Sequence, residues 1–142
     1  MALTGLFGWK EFSDARHAAG DRGEKLAAKF LRKKRYKILY RNFVPTRYGR
    51  GGQIDLVCRD GETLVFVEVK SLRSEDRIRP LDNLDAAQQR RISQGALTWL
   101  RLLDNPDISF RFDVVEVIFN EEDEPRFELI QNAFQLAKPY MY

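Results

Sequence analysis

Asp55, Glu68 and Lys70 are the side chains with the most chemistry to offer in this sequence of 142 residues. They fall on two short apolar segments, 53–58 and 62–70, separated by Asp60-Gly61, a dipeptide suited to the tight turn of a β-hairpin. With Asp60 and Gly61 as the turn, Arg59 faces Glu62, Asp55 faces Phe66 and Gln53 faces Glu68. Alternation then sends Ile54, Leu56, Cys58, Val65, Val67 and Val69 to one wholly apolar face. Gln53, Asp55, Val57, Leu64, Phe66, Glu68 and Lys70 share the other, with the four polar residues at the end away from the turn. Asp55 and Glu68 become diagonal neighbours with backbones about 7–8 Å apart, near enough for both carboxylates to reach one cation. Two carboxylates, completed by water and phosphate oxygens, suit Mg²⁺ or Mn²⁺. Lys70 can neutralise a phosphate or help to deprotonate a water, so the set suits hydrolysis of a phosphodiester. The competing reading is a surface ion-pair ladder worth about 0–1 kcal/mol. Against it stands the apolar run 64–67, which reads as a buried central strand where exposed charges would be out of place.

Positioning these groups requires a frame, and the periodicity supplies one. A helix is predicted over 14–36, with Ser13 as N-cap and Ala27, Phe30 and Leu31 facing inward. Glu24 precedes Ala27 and Leu31 by three and seven positions, so it borders the buried stripe. A strand over 37–44 leads into a glycine- and arginine-rich loop, 45–52, and then into the two hairpin strands. After a polar loop, 71–83, a second helix is predicted over 84–103 with the stripe Leu84, Ile92, Ala96, Trp99 and Leu103, capped by Asp82 or Asn83. Strands over 110–119 and 126–130 flank an acidic turn, and a short helix is expected around 133–137. The order α-β-β-β-α-β-β describes an α/β fold with a mixed sheet flanked by helices.

Composition bounds the function. With 44% apolar and 32% charged residues, the chain has the balance of one domain spanning 1–142, with 1–12 as a flexible N-terminal segment. A single cysteine, Cys58, excludes an internal disulfide, and a single histidine, His17, excludes a histidine-rich metal cluster. Cys58 reads as a small buried side chain, His17 as a solvated helix residue and Trp99 as core. The start of the chain lacks a signal-peptide pattern, and its apolar runs are too short to span a bilayer, so the sequence reads as cytoplasmic. Phe7, Trp9 and Phe12 could dock on the domain or form a partner surface.

The net charge of +3 hides an asymmetry: residues 1–50 carry 13 Lys and Arg against 4 Asp and Glu, whereas residues 51–142 carry 11 against 17. A basic half is the electrostatic footprint expected for a polyanion such as DNA. Lys33, Lys34 and Arg35 close the first helix, where they equally suit the helix dipole. Arg47, Arg50 and Arg73 lie in loops beside the carboxylates and are the better phosphate contacts, which would position a nucleic acid without reading its sequence.

Several segments together resemble a known bacterial family. Gly20-Asp21-Arg22-Gly23-Glu24, Arg41-Asn42-Phe43, Gly52-Gln53-Ile54-Asp55-Leu56-Val57, Val65-Phe66-Val67-Glu68-Val69-Lys70, Arg111-Phe112-Asp113-Val114-Val115 and Asn132-Ala133-Phe134 are similar to the uncharacterised YraN family. That family in turn resembles the PD-(D/E)xK, or restriction-endonuclease-like, nucleases and the archaeal Holliday-junction resolvases, with an αβββαβ core. The resemblance implies that Asp55 and Glu68 bind metal, that Lys70 is the catalytic lysine, and that Glu24 is the acid supplied by the first helix. It also implies a metal-dependent nuclease acting on DNA, including branched or damaged forms. The chain departs from the family pattern at Gln53, usually Glu, and Gln88, usually Lys. If these form a pair that lost its charges together, the two glutamines line the site next to one another. Their neutrality favours the alternative of a nucleic-acid-binding module with little or no cleavage. A homodimer would suit cutting of both strands.

Overall fold

The computed structural model describes residues 15–45, 52–76, 84–121 and 124–142, with the side-chain surroundings of 15–21 and 76 left aside. The expectations for Phe7, Trp9, Phe12, Ser13, Arg47, Arg50, Asp82 and Asn83, and for the His17 side chain, lie outside these residues.

Helix α1 spans Ala15–Lys33 and strands β1, β2 and β3 span Lys37–Phe43, Ile54–Asp60 and Thr63–Arg73. Helix α2, Ala86–Leu102, is followed by β4, Phe110–Phe119, and β5, Arg126–Phe134. The strands lie in the order β1-β2-β3-β4-β5. All neighbours are antiparallel except β3 and β4, whose parallel pairing is made possible by the crossover through α2. This is the predicted α/β fold, a mixed sheet between two helices, consistent with a restriction-endonuclease-like core.

Each sheet face has its own apolar core. Ala27, Ala28 and Leu31 of α1 pack on Leu56, Cys58, Val65, Val67, Val115 and Val117. On the other face, Ile92, Ala96 and Leu100 of α2 pack on Val57, Leu64, Phe66, Phe112 and Val114. The alternation read from the hairpin therefore holds, except that Ile54 joins the α2 side, where it meets Gly95.

Four local expectations are corrected. The hairpin turn is Gly61-Glu62, because Asp60 pairs with Thr63 in the ladder while its carboxylate accepts a hydrogen bond from Arg111 at 2.8 Å. Gly61, at φ +60°, supplies the left-handed first turn position. Helix α1 ends three residues early: Arg35 adopts φ +70°, and the Tyr36 and Arg35 amides donate to the carbonyls of Leu31 and Arg32 at 3.0 Å each, a Schellman ending. The cap of α2 is Asp85, and the stripe of that helix buries Leu100 while Leu103 is 50% exposed. The short helix expected around 133–137 is absent, because β5 continues to Phe134, which stacks on Phe112 at 4.6 Å. Beyond it, the Ala137 amide donates to buried Ser93 and ties the chain to α2.

A polar network closes the hairpin end of the sheet. Asp113, fully buried, accepts from Tyr36 at 2.7 Å, from Arg111 Nε at 2.9 Å and from the Asn132 amide at 2.9 Å. Arg111 and Gln131 both donate to the Tyr36 oxygen at 2.8 Å. Burial pushes the Tyr36 hydroxyl up to about 12. With Asp113 so thoroughly bonded, the cluster staples the segment that follows α1 to β2, β4 and β5 and leaves Asp113 occupied on both oxygens.

Candidate active site

The corrected turn moves the hairpin register by two residues, which by itself turns no side chain to the other face; Ile54 alone of the expected apolar set departs from its place. It changes the relation between the two acids. The last ladder pair is Leu56↔Val67, and the same register places Asp55 directly opposite Glu68. The ladder gives way here to a side-chain bond: the Val69 amide donates to Asp55 Oδ2 at 2.8 Å. Asp55 is thereby tied to β3, and its carboxylate also hydrogen-bonds with the side chains of Glu68 and of Glu24 from α1. Lys70, two residues beyond Glu68 on the same face, exerts its charge on both Asp55 and Glu68.

Two glycine contacts set the height of the helices over this cluster. Next to Glu24, a Cβ on Gly23 would collide with Ser71 Oγ of β3, so α1 rests on the strand through the missing side chain. On the opposite face, Gly52 at φ +90° lies against the Arg91 carbonyl and the backbone of Gly95 in α2. Only glycine combines that backbone angle with such close approach.

The acids are partly buried, and their electrostatics follow from it. Burial, reinforced by the negative charge of Asp55, pushes the Glu68 carboxyl up to about 9, against the attraction of Lys70 and Arg91. Burial also raises Asp55, against the Val69 amide, Glu68, Lys70 and Glu24. Both carboxyls are thus held above their ordinary range, and so close a pair titrates as a unit. Among the described residues, no group of three or more acidic, histidine or cysteine side chains is arranged to hold a metal ion. The fitting donor set is therefore the two carboxylates, whose mutual repulsion a divalent cation would relieve and whose number suits a hard cation that keeps its waters.

The structure thus brings Glu24, Asp55, Glu68 and Lys70 together. It gives Gln53 and Gln88 separate partners: Gln53 Nε2 donates to Asn42 Oδ1 at 2.8 Å, while Gln88 forms a capping box with Asp85. Each side chain thus has a local hydrogen-bond partner of its own. Lys33, Lys34 and Arg35 are exposed beyond Glu24 at the far end of α1, a rise of about 14–17 Å along the helix. Arg73 is exposed on the sheet face opposite Lys70. A cleft of about 440 Å³ between α2 and the C-terminal residues is lined by none of the cluster.

Two charged neighbours of the site escaped the sequence reading. Arg91 lies one residue before buried Ile92 and acts on Glu68 from α2. Glu116 is fully buried on β4, in register with Lys70 on one side and Glu128 on the other. A lone charge inside the run Val114-Val115-Glu116-Val117-Ile118 was the available signal for the second.

The sequence profile of the uncharacterised protein family UPF0102 matches residues 23–117, the stretch that holds the whole cluster. The chain belongs to this family. A UPF0102 protein of Geobacter sulfurreducens is 47% identical over 118 residues, covering 83% of this chain and 89% of the relative. Another, of Geobacter metallireducens, is 47% identical over 118 residues and is covered to 93%. A third, of Symbiobacterium thermophilum, is 44% identical over 115 residues, covering 81% of this chain and 94% of the relative. UPF0102 is the family of the YraN likeness read from the sequence, and none of these names carries an activity.

Proposed function

We propose that this UPF0102 protein is a divalent-cation-dependent nuclease that hydrolyses phosphodiester bonds in DNA, branched or damaged forms included. The observation that carries the reading is the Asp55–Glu68 pair, two partly buried carboxylates directly across a hairpin with a lysine beside them. Asp55 and Glu68 would hold Mg²⁺ or Mn²⁺ with both carboxyls ionised. Such a cation supplies Lewis-acid polarisation of a phosphoryl oxygen and makes a water more acidic. Lys70 places a positive charge where the phosphate gains negative charge, and Glu24 and the Val69 amide keep Asp55 aimed. No histidine is required.

A second reading, a nucleic-acid-binding module without turnover, is favoured by the neutral Gln53 and Gln88 and by a metal set of two protein carboxylates instead of three. Labelled linear duplex and four-way DNA incubated with Mg²⁺ or Mn²⁺ separates them. The nuclease reading predicts cleavage that Asp55→Asn and Lys70→Ala each reduce at least about a hundredfold. Salt-sensitive binding without cuts would establish the module, and cleavage that survives both substitutions would remove the site from the chemistry.

A further inference from the structure

Where α1 passes the chain to β1, cations gather at one corner of the fold. Lys33 ends the helix, Lys34 and Arg35 follow it, Lys37 opens the strand, and Arg59 of β2 is the ladder partner of Lys37; all are exposed. Lys37 and Arg59 are therefore like charges directly across a strand pair, an arrangement that weakens a sheet. Among the described residues, none of Lys33, Arg35, Lys37 and Arg59 has an ion-pair partner to offset this. Asp60, the acid next to Arg59, is taken by Arg111 at 2.8 Å, and Lys34 lies over the Phe30 ring. The backbone beneath the charges is also fixed. Arg35 is held at φ +70° by the helix ending, and Tyr36, between Arg35 and Lys37, is buried and donates to Asp113 at 2.7 Å. Cations crowded together on rigid backbone without counter-charges form a site ready for a polyanion.

We propose that this corner is a second foothold for DNA, gripping the backbone of a duplex about half a helical turn away from the carboxylates. The inference rests on the reading that Asp55 and Glu68 act on DNA, and it adds the direction in which the duplex lies: from the acids towards the hairpin end of the sheet, past the junction of α1 and β1. Two routes through the fold give the spacing. From Glu24 to the basic end of α1 the rise is about 14–17 Å, and from Asp55 to Arg59 along β2 it is about 13 Å. One turn of B-DNA rises about 34 Å, and on one side of a duplex the two backbones alternate at intervals of about half that length. A phosphate placed at the acids therefore brings the other strand's backbone to the corner.

The test is binding of a fluorescein-labelled linear duplex two turns long, followed by anisotropy across a salt series with Ca²⁺ in place of Mg²⁺. Lys37→Gln combined with Arg59→Gln should raise Kd at least about tenfold and lower the magnitude of the slope of log K against log salt by about 1.8, two phosphate contacts at about 0.9 each. The same double variant should unfold at a higher urea concentration, because the facing like charges are gone. A cation pair without a ligand would give that gain in stability alone. Lys33→Gln combined with Lys34→Gln repeats the binding test at the helix end. Arg101→Gln combined with Lys138→Gln removes as much exposed charge from α2 and from the segment beyond β5, and should leave slope and Kd close to the unaltered protein. Unchanged binding by both corner variants, or an equal loss in the Arg101 and Lys138 variant, overturns the inference and leaves cleavage by the unaltered protein in place. The expected loss of slope together with no cleavage by the unaltered protein in Mg²⁺ keeps the foothold and removes turnover. No binding of the duplex by the unaltered protein, whether or not it binds phosphatidylserine vesicles instead, overturns both this inference and the reading beneath it.

Discussion

Asp55 and Glu68 face each other across the β2–β3 hairpin at the point where its ladder ends, and burial raises both carboxyls above their ordinary range. The Val69 amide that would otherwise have continued the ladder is bonded to Asp55. Strand pairing and site geometry are thus one feature: the hairpin stops so that a carboxylate can enter the sheet.

The raised Glu68 carboxyl makes the stability of the metal-free protein depend on pH. Glu68 has its folded value pushed up to about 9 from the ordinary 4.5, so between these values the folded chain binds a proton that the unfolded chain has released. Stability should therefore be greatest near the lower value and fall as the pH rises towards the upper. Glu68→Gln should flatten this dependence, as measured by urea unfolding in chelator across that range. A steady rise in stability over the same interval would contradict the raised Glu68 carboxyl.

The glycines make different demands. Gly52 combines φ +90° with backbone atoms of Arg91 and Gly95 in the place of a Cβ, whereas Gly61 at φ +60° has open space around it. Gly52→Ala should cost at least about 2 kcal/mol, from strain and overpacking together. Gly61→Ala should cost about 1 kcal/mol, from the backbone alone. Urea midpoints compare the two, and equal losses would mean that α2 does not rest on Gly52.

The staple at the hairpin end should govern stability without touching chemistry. Asp113→Ala leaves Arg111 and Tyr36 without their shared carboxylate and should cost about 3–5 kcal/mol. Tyr36→Phe, which removes one hydroxyl from the network, should cost about 1 kcal/mol. Nuclease activity per folded molecule should be unchanged in Tyr36→Phe, measured at a temperature where both proteins are folded.

The legible parts of this fold were those written in local periodicity. The order of elements, the two apolar faces and the span of β4 follow from alternation and helical stripes, and the same alternation put Asp55, Glu68 and Lys70 at one end of one face. Periodicity put Glu24 on the border of the helix stripe, but only the family likeness implied that it joins Asp55. What escaped was set by contacts distant in sequence. Arg111, 51 residues beyond Asp60, draws that aspartate into the ladder and shifts the turn. Phe112, stacked on Phe134, extends β5 through a segment that reads locally as helix. Gln88 was read against Gln53, yet its three-residue spacing from Asp85 already spelled a capping box.

The central claim, that Asp55 and Glu68 form a divalent-cation site, is tested most directly by titrating the metal-free protein with Mn²⁺ in a calorimeter at several pH values. One ion should bind per chain, more tightly as the pH rises towards about 9, with proton release visible as a dependence of the heat on the buffer. Binding should be lost in Asp55→Asn and retained in Lys70→Ala. Mn²⁺ binding that is unchanged by Asp55→Asn, or no binding at all to the unaltered folded protein, would contradict the account.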